Sequence, residues 1–183
     1  MIKISKGLDL PISGSPSLDI SDEPKVSSVA LLSNDYVGMK PTMFFKEGDH
    51  VNCGEKIFED KKNKGVFYCA PGSGLIKAVN RGDKRKFISI EIELDNEEEF
   101  IEFNDQENFI NLLQETGLWN SFRTRPFNRT PAISDIPKGI FINCCDTNPL
   151  SVDPYEIIKY DQDLFDLGLE TVSYTHLTLP TTL

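Results

Sequence analysis

Few side chains in this sequence could do chemistry, and they fall in three stretches. The first is 59–65, EDKKNKG, where Lys61 and Lys62 offer primary amines beside Glu59 and Asp60. A lysine at a polar hairpin tip is either solvated or available for covalent modification. The second is 121–131, SFRTRPFNRTP, which sets Arg123, Arg125 and Arg129 around Phe127 and two prolines. Guanidinium groups bind carboxylates and phosphates through paired hydrogen bonds. That stretch reads as a loop contacting an anion or a neighbouring subunit, or as a linker whose arginines pair with nearby acids. The third is Asp146-Thr147-Asn148-Pro149, directly after the apolar run 139–145, GIFINCC. Such a run, bounded by Pro137 and Asp146, predicts a strand buried on both faces, as in parallel α/β sheets. Ligands bind beyond the C-terminal ends of such strands, although Asp-x-Asn-Pro also makes a simple turn.

Other chemistries find little support. The cysteines are Cys53, Cys69, Cys144 and Cys145, with no C-x-x-C spacing, and the histidines are His50 and His176. This is a poor set for zinc, and it fits a reduced cytoplasmic location with cysteines acting as small apolar residues. His50 sits in a predicted turn, without a Ser/His/Asp set or a P-loop around it. The 183 residues are 39% hydrophobic and 26% charged, ordinary for a soluble globular protein. The net charge of −10 opposes broad binding to nucleic acid or anionic lipid but leaves a local basic patch open. No apolar run approaches the ~20 residues of a membrane-spanning helix, and the N-terminus lacks a signal-peptide layout.

The elements that must position these residues can be read from periodicity. Residues 44–85 form two similar halves. One runs through Glu47-Gly48-Asp49, Val51 and Gly54 into Ile57 and Phe58. The other runs through Val66, Phe67, Ala70-Pro71, Gly74 and Ile76 into Arg81-Gly82-Asp83. Short β-rich runs with Gly, Asp and Pro turns predict a small sandwich of hairpins, with 61–64 at an exposed tip. Periodicity predicts further strands over 1–12 and 26–32, separated by a loop over 13–24. In 86–94, Ile88, Ile90, Ile92 and Leu94 alternate with Ser89, Glu91 and Glu93, which predicts a strand with one wet face. An acidic turn, 95–99, follows. Asn104 and Glu107 then form a capping box for a helix carrying Phe109, Leu112 and Leu113, with Gly117 at its end. Trp119 and Phe122 should pack under the next segment. Asp153-Pro154-Tyr155-Glu156 predicts another helix start, with Pro at N1 and Glu at N3. Leu164, Phe165 and Leu169 mark one more helical segment.

The order Glu47-Gly48-Asp49, Val51, Gly54, polar hairpin, Ala70-Pro71 and Gly74 resembles the biotinyl/lipoyl-like barrel-sandwich hybrid. In carriers of that kind a lysine at the tip bears biotin or lipoate, which would be Lys61 or Lys62 here, and Glu59-Asp60-Lys61 is similar to the lipoyl pattern. Against this, the Met-Lys-Met of biotin carriers is absent, and the offset from Lys62 to Pro71 is one residue longer than the usual lipoyl spacing.

Five stretches in order resemble the A subunit of the bacterial sodium-translocating NADH:quinone reductase, the Nqr complex. They are ISKGLDLPI (4–12), DYVGMKP (35–41), FEDKKN (58–63), GLWNSFRTRPF (117–127) and CDTNP (145–149). The resemblance implies a multi-domain α+β chain. A barrel-sandwich hybrid would occupy 1–100, followed over 101–172 by the start of an α/β domain related to the flavin subunit of respiratory complex I. The family's members are more than twice this length, so further chain completing that domain is expected. Residues 173–183, SYTHLTLPTTL, are similar to a read-through or assembly artefact and are expected to be non-native, poorly packed and no continuation of a helix. For the same reason 139–145 should expose apolar surface.

The resemblance also implies function. The chain would be a peripheral subunit on the cytoplasmic face of the bacterial inner membrane, with no nucleic-acid partner. It would bind other Nqr subunits, especially a membrane subunit near the quinone site. The complex couples NADH oxidation and ubiquinone reduction to sodium transport, and contains FAD, FMN, riboflavin and Fe-S centres. Flavin-binding relatives of the α/β domain cradle FMN with a glycine-rich loop after the first helix. Residues 119–127 hold that place here and contain no glycine, so neither a flavin nor a nicotinamide site is expected in this chain. Arg123, Arg125 and Phe127 are expected instead to contact a neighbouring subunit near the quinone site.

Overall fold

The computed structural model describes residues 12–19, 26–97, 99–103, 109–144, 146 and 148–174. Contacts group the chain into two units, one of residues 24–135 and one of 1–23 with 136–183. The strand expected over 1–12 and the capping box at Asn104 and Glu107 lie outside the described residues, apart from Ile12.

In the unit 24–135, two antiparallel sheets face each other across one core. The four-stranded sheet has the order β1 (Ser28–Leu32), β7 (Phe87–Leu94), β6 (Gly74–Arg81), β3 (His50–Val51). The three-stranded sheet has the order β2 (Pro41–Met43), β4 (Lys56–Asp60), β5 (Phe67–Cys69). The expected hairpin sandwich is therefore present. The first half of 44–85 turns on Gly48 and Gly54, and the tip between the halves on Gly65, all with φ near +87°, a conformation other residues reach only with strain.

The core is aromatic. Phe58 of one sheet stacks on Tyr68 at 4.7 Å and meets Phe87 of the other edge-on at 5.4 Å. Ile57, Ile76, Ile90 and Ile92 fill the space between, all fully buried. Burial pushes the Tyr68 phenol up to about 12 and also raises Tyr36, whose ring meets Tyr68 edge-on at 4.6 Å. The folded value of Tyr68 lies above its ordinary 10.0, so neutral Tyr68 stabilises the fold fully below pH 10. That contribution is lost as pH rises towards 12, because the unfolded chain releases a proton the folded chain retains. Urea midpoints should therefore fall over this window, and Tyr68→Phe should flatten the fall.

The wet-face pattern of β7 needs one correction. Ile88 is exposed, while Phe87 and Ser89 are buried. The pairing moves from Asn80↔Ser89 to Arg81↔Phe87, so Ile88 is an extra residue in the ladder. A bulge of this kind turns its side chain off the regular alternation. His50, expected in a turn, instead lies in β3 opposite Leu75.

After β7, α1 (Phe109–Glu115) and a 3₁₀ turn (Leu118–Ser121) complete the sandwich. Gly117 ends the helix in the left-handed conformation. Trp119 is buried, joins the core cluster and donates its indole N–H to Pro131 O at 3.0 Å, so it does pack under the following segment. Asn120 Nδ2 donates to Phe67 O at 2.6 Å, pinning the turn to β5.

In the other unit, the described residues 139–144 form no strand, and Phe141 is 95% exposed. This corrects the expected buried strand. An apolar run becomes a strand only with a ladder partner, and the described residues of this unit contain no other strand. The expected exposure of apolar surface is present at Phe141 and Ile142. The helix start at Asp153 is displaced by one residue. Pro154 is the N-cap of α2 (Tyr155–Ile158), and Asp153 Oδ1 accepts the Tyr155 N–H at 3.0 Å. The helical segment marked by Leu164, Phe165 and Leu169 is α3 (Gln162–Tyr174). It runs through Ser173 and Tyr174, which corrects the expectation that no helix continues there; 175–183 lie outside the described residues.

Candidate docking site

The β4–β5 tip is exposed at Lys61, Lys62 and Lys64 but is held from below. Asp60 is buried, and its Oδ1 accepts the N–H groups of Lys40 at 3.1 Å and Lys62 at 3.0 Å. Glu59 Oε1 accepts the Gly65 N–H at 2.7 Å. Lys62 Nζ donates to Gly38 O at 3.0 Å, which leaves Lys61 and Lys64 as the freer amines.

The arginine stretch divides into an anchor and an apex. Arg123 is half-buried. Its Nη1 donates to Asn120 O and, at 3.0 Å, to Phe122 O, and its Nη2 reaches Asp35 O at 3.5 Å. The guanidinium also lies 5.6 Å from the Tyr36 ring centre. Arg123 therefore ties the loop to the sandwich. Beyond it the chain closes on itself: Thr124 N donates to Arg129 O and Asn128 N to Thr124 O, each at 2.8 Å. This sets Arg125, Phe127 and Arg129 outward, with Phe127 69% exposed and Arg129 over its ring at 6.0 Å. An exposed aromatic flanked by guanidinium groups suits a protein contact.

The loop suits a phosphate less well. The N–H groups of Asn120, Phe122, Thr124 and Asn128 all donate to carbonyls of residues 117–129. A flavin phosphate needs such N–H groups unoccupied and converging. These four N–H groups are therefore not available to a phosphate.

At the end of the third stretch, the described residues Pro149 and Leu150 lie in a turn. Asp146 Oδ1 accepts both the backbone and side-chain N–H of Asn148, and Ser151 Oγ donates to Asp146 O at 3.1 Å. It does not follow a strand, so the ligand-edge reading loses its basis. His50 Nε2 lies 2.6 Å from Asp95 Oδ2 in a surface pair. Among the described residues no group of three or more His, Cys, Asp or Glu could hold a metal ion.

Sequence reasoning missed how the first two stretches meet. Asn63 Nδ2 donates to Thr130 O at 3.3 Å and Pro131 O at 2.9 Å, joining the lysine tip to the end of the arginine stretch. No short-range pattern could reveal a contact between residues 67 apart.

Two family descriptions match the chain in order. Residues 2–95 match the NqrA N-terminal barrel-sandwich hybrid domain, and 104–179 match the NqrA second alpha/beta domain. The chain belongs to the NqrA family. Its curated relatives include the A subunit of the Na(+)-translocating NADH-quinone reductase of Neisseria gonorrhoeae, 47% identical over 184 residues. The corresponding subunits of Yersinia pestis and Pasteurella multocida are 45% and 44% identical. These alignments cover 94–96% of this chain and 41–42% of each relative. The chain thus spans about two fifths of the NqrA relatives it matches. Its fold class is the barrel-sandwich hybrid followed by an α/β domain, as the five stretches implied.

Proposed function

We propose that this chain serves as a cofactor-free, peripheral part of NqrA in a sodium-translocating NADH:quinone reductase. It stands at the cytoplasmic face of the bacterial inner membrane and docks other subunits near the quinone site. FAD, FMN, riboflavin, Fe-S centres and ubiquinone belong in this reading to the assembled complex. The observation that carries it is the match to both NqrA domains in order. The outward set of Arg125 and Phe127 supports the docking role, and the internally occupied N–H groups of the loop support the absence of flavin. Arg123 is the positioning residue of the loop.

The carrier alternative, biotin or lipoate on Lys61 or Lys62, is favoured only by the exposure of the tip. The bond from Lys62 Nζ to Gly38 O favours a fixed surface over a mobile arm. An intact mass raised by a lipoyl or biotinyl group would return the tip to that class.

Docking is tested by placing a photoreactive benzoylphenylalanine at position 127 of full-length NqrA within the complex. Irradiation should join NqrA to a neighbouring polypeptide. Adducts confined to NqrA itself would overturn the docking role.

A further inference from the structure

The lysine tip and the arginine loop form one basic face. Lys62 Nζ bonds Gly38 O, and a Cβ built on Gly38 would lie 3.6 Å from Arg129 Nε, so one residue separates the two segments. Asn63 closes the other side through Thr130 O and Pro131 O. Beside this junction lies an open cleft of about 560 Å³, lined by Lys61, Lys62, Asn63 and Lys64 on one wall and Ala132, Ile133 and Ser134 on the other.

None of the described local carboxylates forms an ion pair with these lysines and arginines. Glu59, Asp60 and Asp135 each accept backbone N–H groups. Asp35 is exposed beside Tyr36, and its backbone oxygen, not its carboxylate, meets Arg123. The ion pairs among the described residues lie elsewhere, at His50–Asp95, Lys56–Glu115, Lys77–Glu93 and Lys159–Glu156. In a chain of net charge −10, the described residues thus gather lysines and arginines that make no ion pair with another described residue around this cleft.

We propose that this face docks an acidic segment of a partner polypeptide, with carboxylates entering the lysine cleft and Phe127 packing beside it. The inference rests on the reading of 123–129 as a docking loop, and extends it to Lys61–Lys64 and to the partner's charge. A flat anionic bilayer fits less well. It would bring the acidic remainder of the protein towards like charge, within the ~8 Å over which physiological salt screens. A narrow segment can enter the cleft while staying clear of that remainder. Complementary charge of this kind mainly sets specificity and association rate.

The test uses the complex carrying full-length NqrA. Lys61→Glu with Lys64→Glu should weaken association of NqrA roughly tenfold or more and flatten its salt dependence. Lys61→Arg with Lys64→Arg should restore both. Isolated full-length NqrA should bind polyglutamate, and should not bind phosphatidylcholine–phosphatidylserine vesicles. Unchanged association and salt dependence in the charge-reversed variant, with a loop variant still weakened, would remove this extension and leave the docking loop standing. Silence in both variants would remove both readings. Vesicle binding without polyglutamate binding would replace the acidic segment by a membrane surface and overturn the proposal.

Discussion

Gly74→Ala should lower the melting temperature of the sandwich by roughly 10–25 °C, at about 4 °C per kcal/mol for a unit of this size. Gly74 opens β6 at φ +155°, paired with Leu94. A Cβ there would lie 2.0 Å from Glu93 O and 2.9 Å from Glu93 C. Both atoms are backbone of β7, the strand that joins β1 to β6, so neither can rotate away as a side-chain end could. Relief requires parting the β6–β7 ladder at its first pairs, Gly74↔Leu94 and Leu75↔Glu93. Overpacking costs about 1–3 kcal/mol and the strained backbone a similar amount. Together these are a large share of a typical stability of about 5–15 kcal/mol. Gly48→Ala is the control. Its φ is +87° but a Cβ there meets nothing within 4 Å, so only the backbone strain of about 1 kcal/mol should remain. Thermal unfolding followed by circular dichroism separates the two. A Gly74→Ala protein melting no lower than Gly48→Ala would contradict this account of the ladder.

What the sequence made legible follows from the range of its signals. Hairpin turns are local, so Gly48, Gly54 and Gly65 announced the sandwich, and the tip at 61–64 emerged where expected. Alternation announced β7 but could not locate an extra residue in its ladder, because a bulge depends on the partner strand; hence the misplaced Ile88. The run 139–145 signalled apolar character correctly but not a ladder, because pairing needs a second strand. The candidate loop was legible by composition. Its division into an anchoring Arg123 and an outward Arg125 and Phe127 was not. That division depends on carbonyls brought close by folding, such as Asp35 O, 88 residues away in sequence. The joining of loop and lysine tip into one face was hidden for the same reason.

The loop apex should carry the largest functional effect. Arg125→Ala with Phe127→Ala removes the exposed guanidinium and ring and leaves Arg123 on its carbonyls. The fold should therefore survive. If the pair forms a hot spot, each side chain contributes about 2 kcal/mol or more, and losing either weakens assembly by roughly 30-fold. The effects need not add. In the complex assembled with full-length NqrA, NADH oxidation by a soluble acceptor should be unchanged, since this reading places flavin and nicotinamide chemistry elsewhere. The most direct measurement is the ratio of ubiquinone reduction to soluble-acceptor NADH oxidation in this double variant, read beside the amount of NqrA retained in the purified complex. A fall in both the ratio and the retained NqrA is expected. A ratio and a retention equal to those of the unaltered complex would contradict the assignment of this face to docking.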